Sequence, residues 1–351
     1  METPDPKNYN ITVFIGNGFD LSLGLKSRYT DYFNHKDENG NKDFWPEKYS
    51  FTDEDQLYKR LNGKLLSPEG IASPNEKITW YDLEDVLKKH AKREFPKGIM
   101  FLQSYEESFA RDKEYYNEIK LGLKNYLKHA EKEWLKSDGR QIKKSAAFQL
   151  MYEICVRAKM DPYVITFNYT NIHALLDKTV SNSWEKINIS NNWVQFVHGS
   201  LLEDHIILGI NEDKNVPKEY DFLFKSWDVH YVSHQVIDTL KNSQVIFFFG
   251  ISFGTIDSVY FVDFFESIIN GKYDNNKKHL VICTYNENSM REIYRQFFQM
   301  GISIMELKAH CNFKVLLTNP EDIHSPLKFE SGKLSQWLHD WDTCDISITP
   351  L

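Results

Sequence analysis

The feature that most constrains this chain is a five-residue apolar run, Ile11 to Ile15, closed at once by Gly16-Asn17-Gly18. Beyond the turn, Leu21, Leu25, Tyr29 and Phe33 recur at helical spacing, so the segment reads as strand, tight turn and helix. Glycine at such a turn lets backbone approach a ligand closely, and the N–H groups that open the following helix suit phosphate oxygens. An α/β domain with a phosphate or nucleotide site at the end of its first strand is the expectation. The third glycine of a G-x-G-x-x-G fingerprint is missing, because Leu21 holds that place and the next glycine is Gly24. The G-x-x-x-x-G-K pattern of ATP-hydrolysing loops is also absent, so that chemistry is not expected.

Further strands are expected at Tyr163 to Phe167, Trp193 to Val197, Ile206 to Ile210, Val245 to Phe249, Leu280 to Thr284 and Ile302 to Leu307. Several are apolar throughout, as strands are when buried on both faces of a mostly parallel sheet. Val229 to Leu240, Ser258 to Ile269 and Ser289 to Met300 read as the covering helices. The polar stretches 34–50 and 62–75 read as loops outside the core. Helical patterns follow from Leu83 to Ala91, from Lys97 to Trp134 and around Phe148 to Val156. The organisation expected is therefore a Rossmann-like core in two parts, 1–33 and 161–310, with an excursion and helical insert or cap at 34–160 and a C-terminal extension at 311–351.

With 41% hydrophobic and 15% aromatic residues in 351, the chain has the means to bury a large core. A formal charge of -8 supplies no global field for nucleic acid, which is not expected as a partner. Cys155, Cys283, Cys311 and Cys344 form no C-x-x-C pair and read as buried thiols, without structural zinc. Met1 to Asn10 lacks the basic and apolar parts of a signal peptide, and no apolar run approaches a membrane span, so the expected setting is cytoplasmic, away from membranes. His230 and His234 are four apart, but no third ligand marks a metal site.

Ligands of open parallel sheets lie beyond the carboxyl ends of the strands, so polar residues just after apolar runs carry most information. Four such ends stand out: Gly16 to Asp20, Asn168 after Tyr163 to Phe167, His198 before Gly199, and Gly250 to Asp257. Gly16, Asn17, Gly18, Gly250 and Ser252 are candidates to hold phosphate or ribose. Asp20 and Asp257 either join them or cap the helices that they open. Asn168 can hold a sugar hydroxyl or position a water without bringing charge into the pocket. His198 is the candidate acid/base, because a neutral imidazole can accept a proton from water or a sugar hydroxyl. Phe19, Glu84 and Tyr169 are candidate substrate contacts, with core packing or a solvated helix face as the competing reading.

Phe14 to Tyr29, Asp82-Leu83-Glu84, Phe167 to Thr170, Val197-His198-Gly199 and Phe249 to Ser252 together resemble the AbiH family of bacteriophage abortive-infection proteins. In motif order this is similar to the SIR2-like group, whose members use a Rossmann-type domain for NAD and often cleave its nicotinamide glycosidic bond. The resemblance implies that Gly16 to Asp20 form the first glycine loop, Asn168 is the strand-end asparagine, His198 the catalytic histidine and Gly250 to Ser252 the later loop. Asn17 and Asp20 stand where that group has small residues, and Thr170 where aspartate often follows asparagine. Without a four-cysteine zinc module, protein deacylation is not expected. What it implies is a phage-defence enzyme hydrolysing NAD or a related nucleotide, with a phage protein as activator and self-association left open. The alternatives are a phosphohydrolase with metal held partly by Asp20 or Asp257, and a non-catalytic nucleotide-sensing or phage-protein-binding module.

Overall fold

The computed structural model describes residues 11–46, 80–92, 102–137, 142–180, 187, 189, 193–254 and 257–319. Two compact units divide the chain: Met1–Leu25, Glu131–Ser200 and Val232–Leu351 make the first, Lys26–Ala130 and Leu201–Tyr231 the second. In chain order the main elements are β1 (Ile11–Ile15), α1 (Asn17–Ser22), α2 (Tyr29–Asn34), α3 (Trp80–Ala91), α4 (Leu102–Lys136), α5 (Ala146–Tyr152), β2 (Tyr163–Thr166), α6 (Ile172–Val180) and β3 (Val194–Phe196). They continue with α7 (Ser233–Asn242), β4 (Val245–Phe249), α8 (Val262–Ile269), β5 (His279–Thr284), α9 (Glu287–Gln299), α10 (Ile304–His310) and β6 (Asn312–Leu317).

The first unit is built on a sheet of six strands in the order β3-β2-β1-β4-β5-β6, every pairing parallel. The chain builds outward from β1 to β3, then returns to lay β4 on the other side of β1, so the order reverses between β1 and β4. Such a reversal opens a crevice beyond the strand ends, the usual ligand position in Rossmann-like sheets. Register makes the ends level: Ile15 lies opposite Thr166 on one side and Phe249 on the other, and Thr166 lies opposite Phe196. β1, β4 and β5 are buried along their whole length, which is why they are predominantly apolar, β4 throughout. Phe14, Phe248, Phe253, Phe261, Phe265 and Phe297 interlock through edge-to-face, tilted and stacked contacts.

Several elements differ from the sequence expectation. Ile302 to Leu307 is not a strand. Ser303 Oγ accepts from the Glu306 N–H at 3.3 Å and starts α10, while the edge strand is Asn312–Leu317, inside what read as a C-terminal extension. A short apolar run fits either period, and the Ser303 cap with Glu306 three residues on was the deciding signal. Of Ile206 to Ile210 only Ile206 is strand, in the two-residue strand His205–Ile206, and Ile210 makes an isolated parallel bridge to Phe224. The helix expected from Val229 begins at Ser233, so His230 and His234 do not share a helical face. α5 passes into a π-helical turn, Glu153–Arg157, which carries Cys155.

In the second unit, Trp45 is buried and packs edge-on against Tyr29 and Phe33, although its polar surroundings read as loop outside the core. Tyr32 donates its hydroxyl to the Ile119 carbonyl of α4 at 3.2 Å. His90, Asp112 and Tyr220 form a buried polar group, with His90 Nε2 2.7 Å from Asp112 Oδ2 and the Tyr220 hydroxyl donating to the same oxygen. Among the described residues no helix is long and apolar enough to cross a membrane.

Candidate functional site

The turns after β1 and β4 are packed backbone against backbone. Gly16 N donates to the Phe249 carbonyl at 2.9 Å, and Gly18 N to the Gly250 carbonyl at 3.2 Å. A Cβ on Gly16 would lie 2.5 Å from Gly250 O, and one on Gly18 would lie 2.6 Å from Gly250 Cα. Gly250 itself has φ +65°, and its Cβ would meet Gly18 Cα at 2.4 Å. The three glycines are therefore required by the approach of the two turns to each other. At Gly18 the direction that a side chain would take is occupied by Gly250 backbone. The Gly18 and Phe19 N–H groups are also used internally, the latter on the Gly16 carbonyl at 2.9 Å.

Asp20 sits in the first turn of α1, which has no side-chain cap, so the capping role does not hold. Its carboxyl group is buried, with 2% of the residue exposed, and Thr170 Oγ1 donates to Oδ2 at 2.7 Å. Burial pushes its pKa up to about 7 against the pull of Thr170 and of the Asn168 amide, and the Glu131 carboxylate adds a smaller upward push. Among the described residues Asp20 has no ion pair. Asn168 Nδ2 donates to the Gly16 carbonyl at 3.0 Å, and its backbone N–H donates to Thr166 Oγ1 at 3.1 Å. The ends of β1 and β2 are thus joined by one polar group made of Gly16, Asp20, Asn168 and Thr170.

His198 follows β3 and is buried, its ring edge-on to Phe167 with centroids 5.5 Å apart. Its Nε2 lies 3.4 Å from the Tyr260 hydroxyl, contributed by the turn before α8. Gly199 beside it takes φ +75°. Sequence reasoning singled out neither Tyr260 nor Thr170 as a partner. Thr170 follows β2 by four residues, the signal used for Asn168, whereas Tyr260 comes from a turn well past β4 and carries no such signal.

The remaining candidates separate. Ser252 is exposed, and its Oγ accepts from the Gly254 N–H at 3.4 Å. Asp257 precedes the 3-10 turn Ser258–Tyr260 and makes no side-chain cap there. Between them Phe253 adopts φ +55° while fully buried, a costly backbone for a bulky residue. Asn17 is half-buried at the start of α1. Phe19 is fully buried with its ring edge-on to Phe249 at 5.4 Å, so it belongs to the core and has no face for a base, contrary to the substrate-contact reading. Tyr169 is buried as well. Cys283 and Cys311 are buried and Cys155 is half-buried, with burial pushing the last two thiols up to about 12, while Cys344 lies outside the described residues.

Glu84 belongs to the second unit, where its Oε1 pairs with Lys225 Nζ at 2.7 Å. With Lys225 1% exposed, this is a buried ion pair. Removing one partner strands a charge, whereas removing both does not. Lys225→Met is expected to cost roughly 3 kcal/mol in denaturant unfolding, and the double variant Glu84→Leu, Lys225→Met to recover most of it. Additive losses would contradict the pairing.

A parallel sheet with its order reversing between two mutually packed glycine turns defines an α/β protein of Rossmann-like topology. The chain belongs to the bacteriophage abortive infection AbiH family, whose pattern it matches over residues 13–281. Membership supports a role in phage abortive-infection defence, and the matched stretch includes the ends of β1 to β4. Comparison with curated proteins and with solved structures returns no match. Among the described residues no group of three or more His, Cys, Asp or Glu side chains could hold a metal ion.

Proposed function

We propose that this abortive-infection protein binds NAD or a related nucleotide beyond the ends of β1 to β4 and hydrolyses its N-glycosidic bond. The observation that carries the reading is the level termination of these strands at the order reversal, with Asn168 and His198 following adjacent strands. In this reading His198 exchanges a proton with water or a ribose hydroxyl, and the Tyr260 hydroxyl orients its ring. Asn168 holds the ribose or the attacking water. The turns at Gly16 to Gly18 and Gly250 to Ser252 border the phosphates, and the surrounding polar groups stabilise positive charge developing at the anomeric carbon.

Nicotinamide release from NAD, followed in cells carrying the full chain before and after phage infection, tests the reading. Infection is expected to trigger release with wild type, and His198→Ala to slow it by about 10² or more without weakening nucleotide affinity. An infected wild-type culture that is protected while its NAD glycosidic bond stays intact would overturn the assignment.

A further inference from the structure

A carboxylate buried without a cation costs stability, and asparagine offers almost the same shape without the charge. Asp20 is such a carboxylate, placed one turn from the glycine seam. The groups around it are the Thr170 hydroxyl at 2.7 Å and the Asn168 amide, both after β2, and the Glu131 carboxylate on α4. Glu131 is itself shifted upward by burial and accepts from the Asn171 N–H at 3.1 Å. Nothing in that set rewards a negative charge as much as burial penalises it. A carboxylate in that position calls for work done on a neighbour.

The neighbour is Asn168. A side-chain amide carries two N–H donors on nitrogen and an acceptor on oxygen. The nitrogen of Asn168 is turned to the Gly16 carbonyl at 3.0 Å, and the same amide favours the ionised form of Asp20, as a donor does. Among the described residues the amide nitrogen is committed to the Gly16 carbonyl, with the Asp20 carboxylate as a second acceptor beside it, and its carbonyl oxygen is the atom left to meet a ligand.

We propose that Asp20 is a positioning residue which, with the Gly16 carbonyl, fixes the Asn168 amide in this sense, so that Asn168 accepts a hydrogen bond and selects a hydroxyl or water. The inference rests on the nucleotide reading for the identity of that donor, a ribose hydroxyl or the attacking water. Ionised Asp20 is a pure acceptor and suits both Thr170 and Asn168. Protonated Asp20 puts a donor where an acceptor is needed and loosens the amide. The arrangement therefore tightens as pH rises through the Asp20 titration, which burial has moved to about 7.

The test uses the full chain with ¹⁵N-labelled asparagine, the Asn168 amide being assigned by its loss in Asn168→Ala. In wild type this signal is expected to titrate near neutrality and to resist hydrogen exchange. In Asp20→Asn the titration disappears and exchange accelerates at least about tenfold. In Thr170→Val, which keeps the carboxylate but removes its hydroxyl donor, the midpoint moves upward. An Asn168 signal that behaves identically in wild type and Asp20→Asn overturns the proposal, with no nucleotide needed. A second arm compares NAD with an analogue bearing O-methylated ribose hydroxyls. Wild type should prefer NAD by about tenfold or more and Asp20→Asn by less than about threefold. Equal preference in both proteins also overturns the positioning role. Failure of wild type to bind NAD strikes the nucleotide reading alone and leaves the amide titration to decide on Asp20.

Discussion

Gly250→Ala is expected to lose more than about 4 kcal/mol of folding stability, among the largest effects a single methyl group can produce. Two penalties combine. The residue sits at φ +65°, where a side chain is strained, and the new Cβ would stand 2.4 Å from Gly18 Cα and 2.7 Å from the Gly18 backbone nitrogen. Neither neighbour can yield, because Gly18 N is hydrogen-bonded to the Gly250 carbonyl and both turns leave fully buried strands. Gly40→Ala supplies the control: it has φ +83° and nothing within 4 Å of its Cβ, so only the backbone penalty of about 1 kcal/mol remains. Guanidinium unfolding of the two variants separates the terms, and equal losses would refute the seam. Gly18→Val should be at least as damaging, so reduced nucleotide affinity in that variant would report on folding before it reported on phosphate contact.

Asp20→Asn is expected to act in the opposite direction and to change sign with nothing but pH. The folded-state pKa, about 7, is above the unfolded value of 3.8, so native protein retains a proton that the unfolded chain has released. Stability from this group is complete below pH 3.8, falls as pH rises, and reaches its lowest level above pH 7. A shift of that size corresponds to about 4 kcal/mol as an order of magnitude. Asparagine has no such dependence and keeps an acceptor for Thr170. The variant should therefore gain on wild type steadily from acid to neutral pH and exceed it in alkaline buffer. Denaturant midpoints for both proteins at several pH values measure the difference, and a difference independent of pH would show that Asp20 does not titrate between folded and unfolded states. A substitution that stabilises the fold and releases Asn168 would separate stability from function at one residue.

The periodic parts of this architecture were legible in the sequence. Ile11 to Ile15 and Val245 to Phe249 read as buried strands, and the polar residues following them marked the strand ends. What was not legible depends on partners far away in sequence. Nothing near Asp20 announces Thr170, 150 positions on, as its hydrogen-bond donor. Nothing near Gly18 announces that Gly250 fills the space above it. Glu84 could be noticed as a carboxylate in an aromatic setting, but its meaning changed once Lys225 was found against it. Trp45 went unrecognised because the aromatic cluster that buries it comes from other segments. At Ile302 to Leu307 the apolar spacing suits strand or helix, and the Ser303 cap with Glu306 marks the helix.

The bond from Gly250 N to the Cys283 carbonyl, at 3.0 Å, reaches into β5 beyond the last residue of the family match. A recombinant fragment trimmed to 13–281 would stop inside that strand, discard Ile282 to Thr284 and remove β6, which pairs along the whole of β5. Its glycine turn would lose the mooring that holds it against Gly18. The boundaries of sequence similarity are therefore the wrong boundaries for expression, limited proteolysis or domain grafting. The smallest piece able to carry these strand ends must run at least through Leu317.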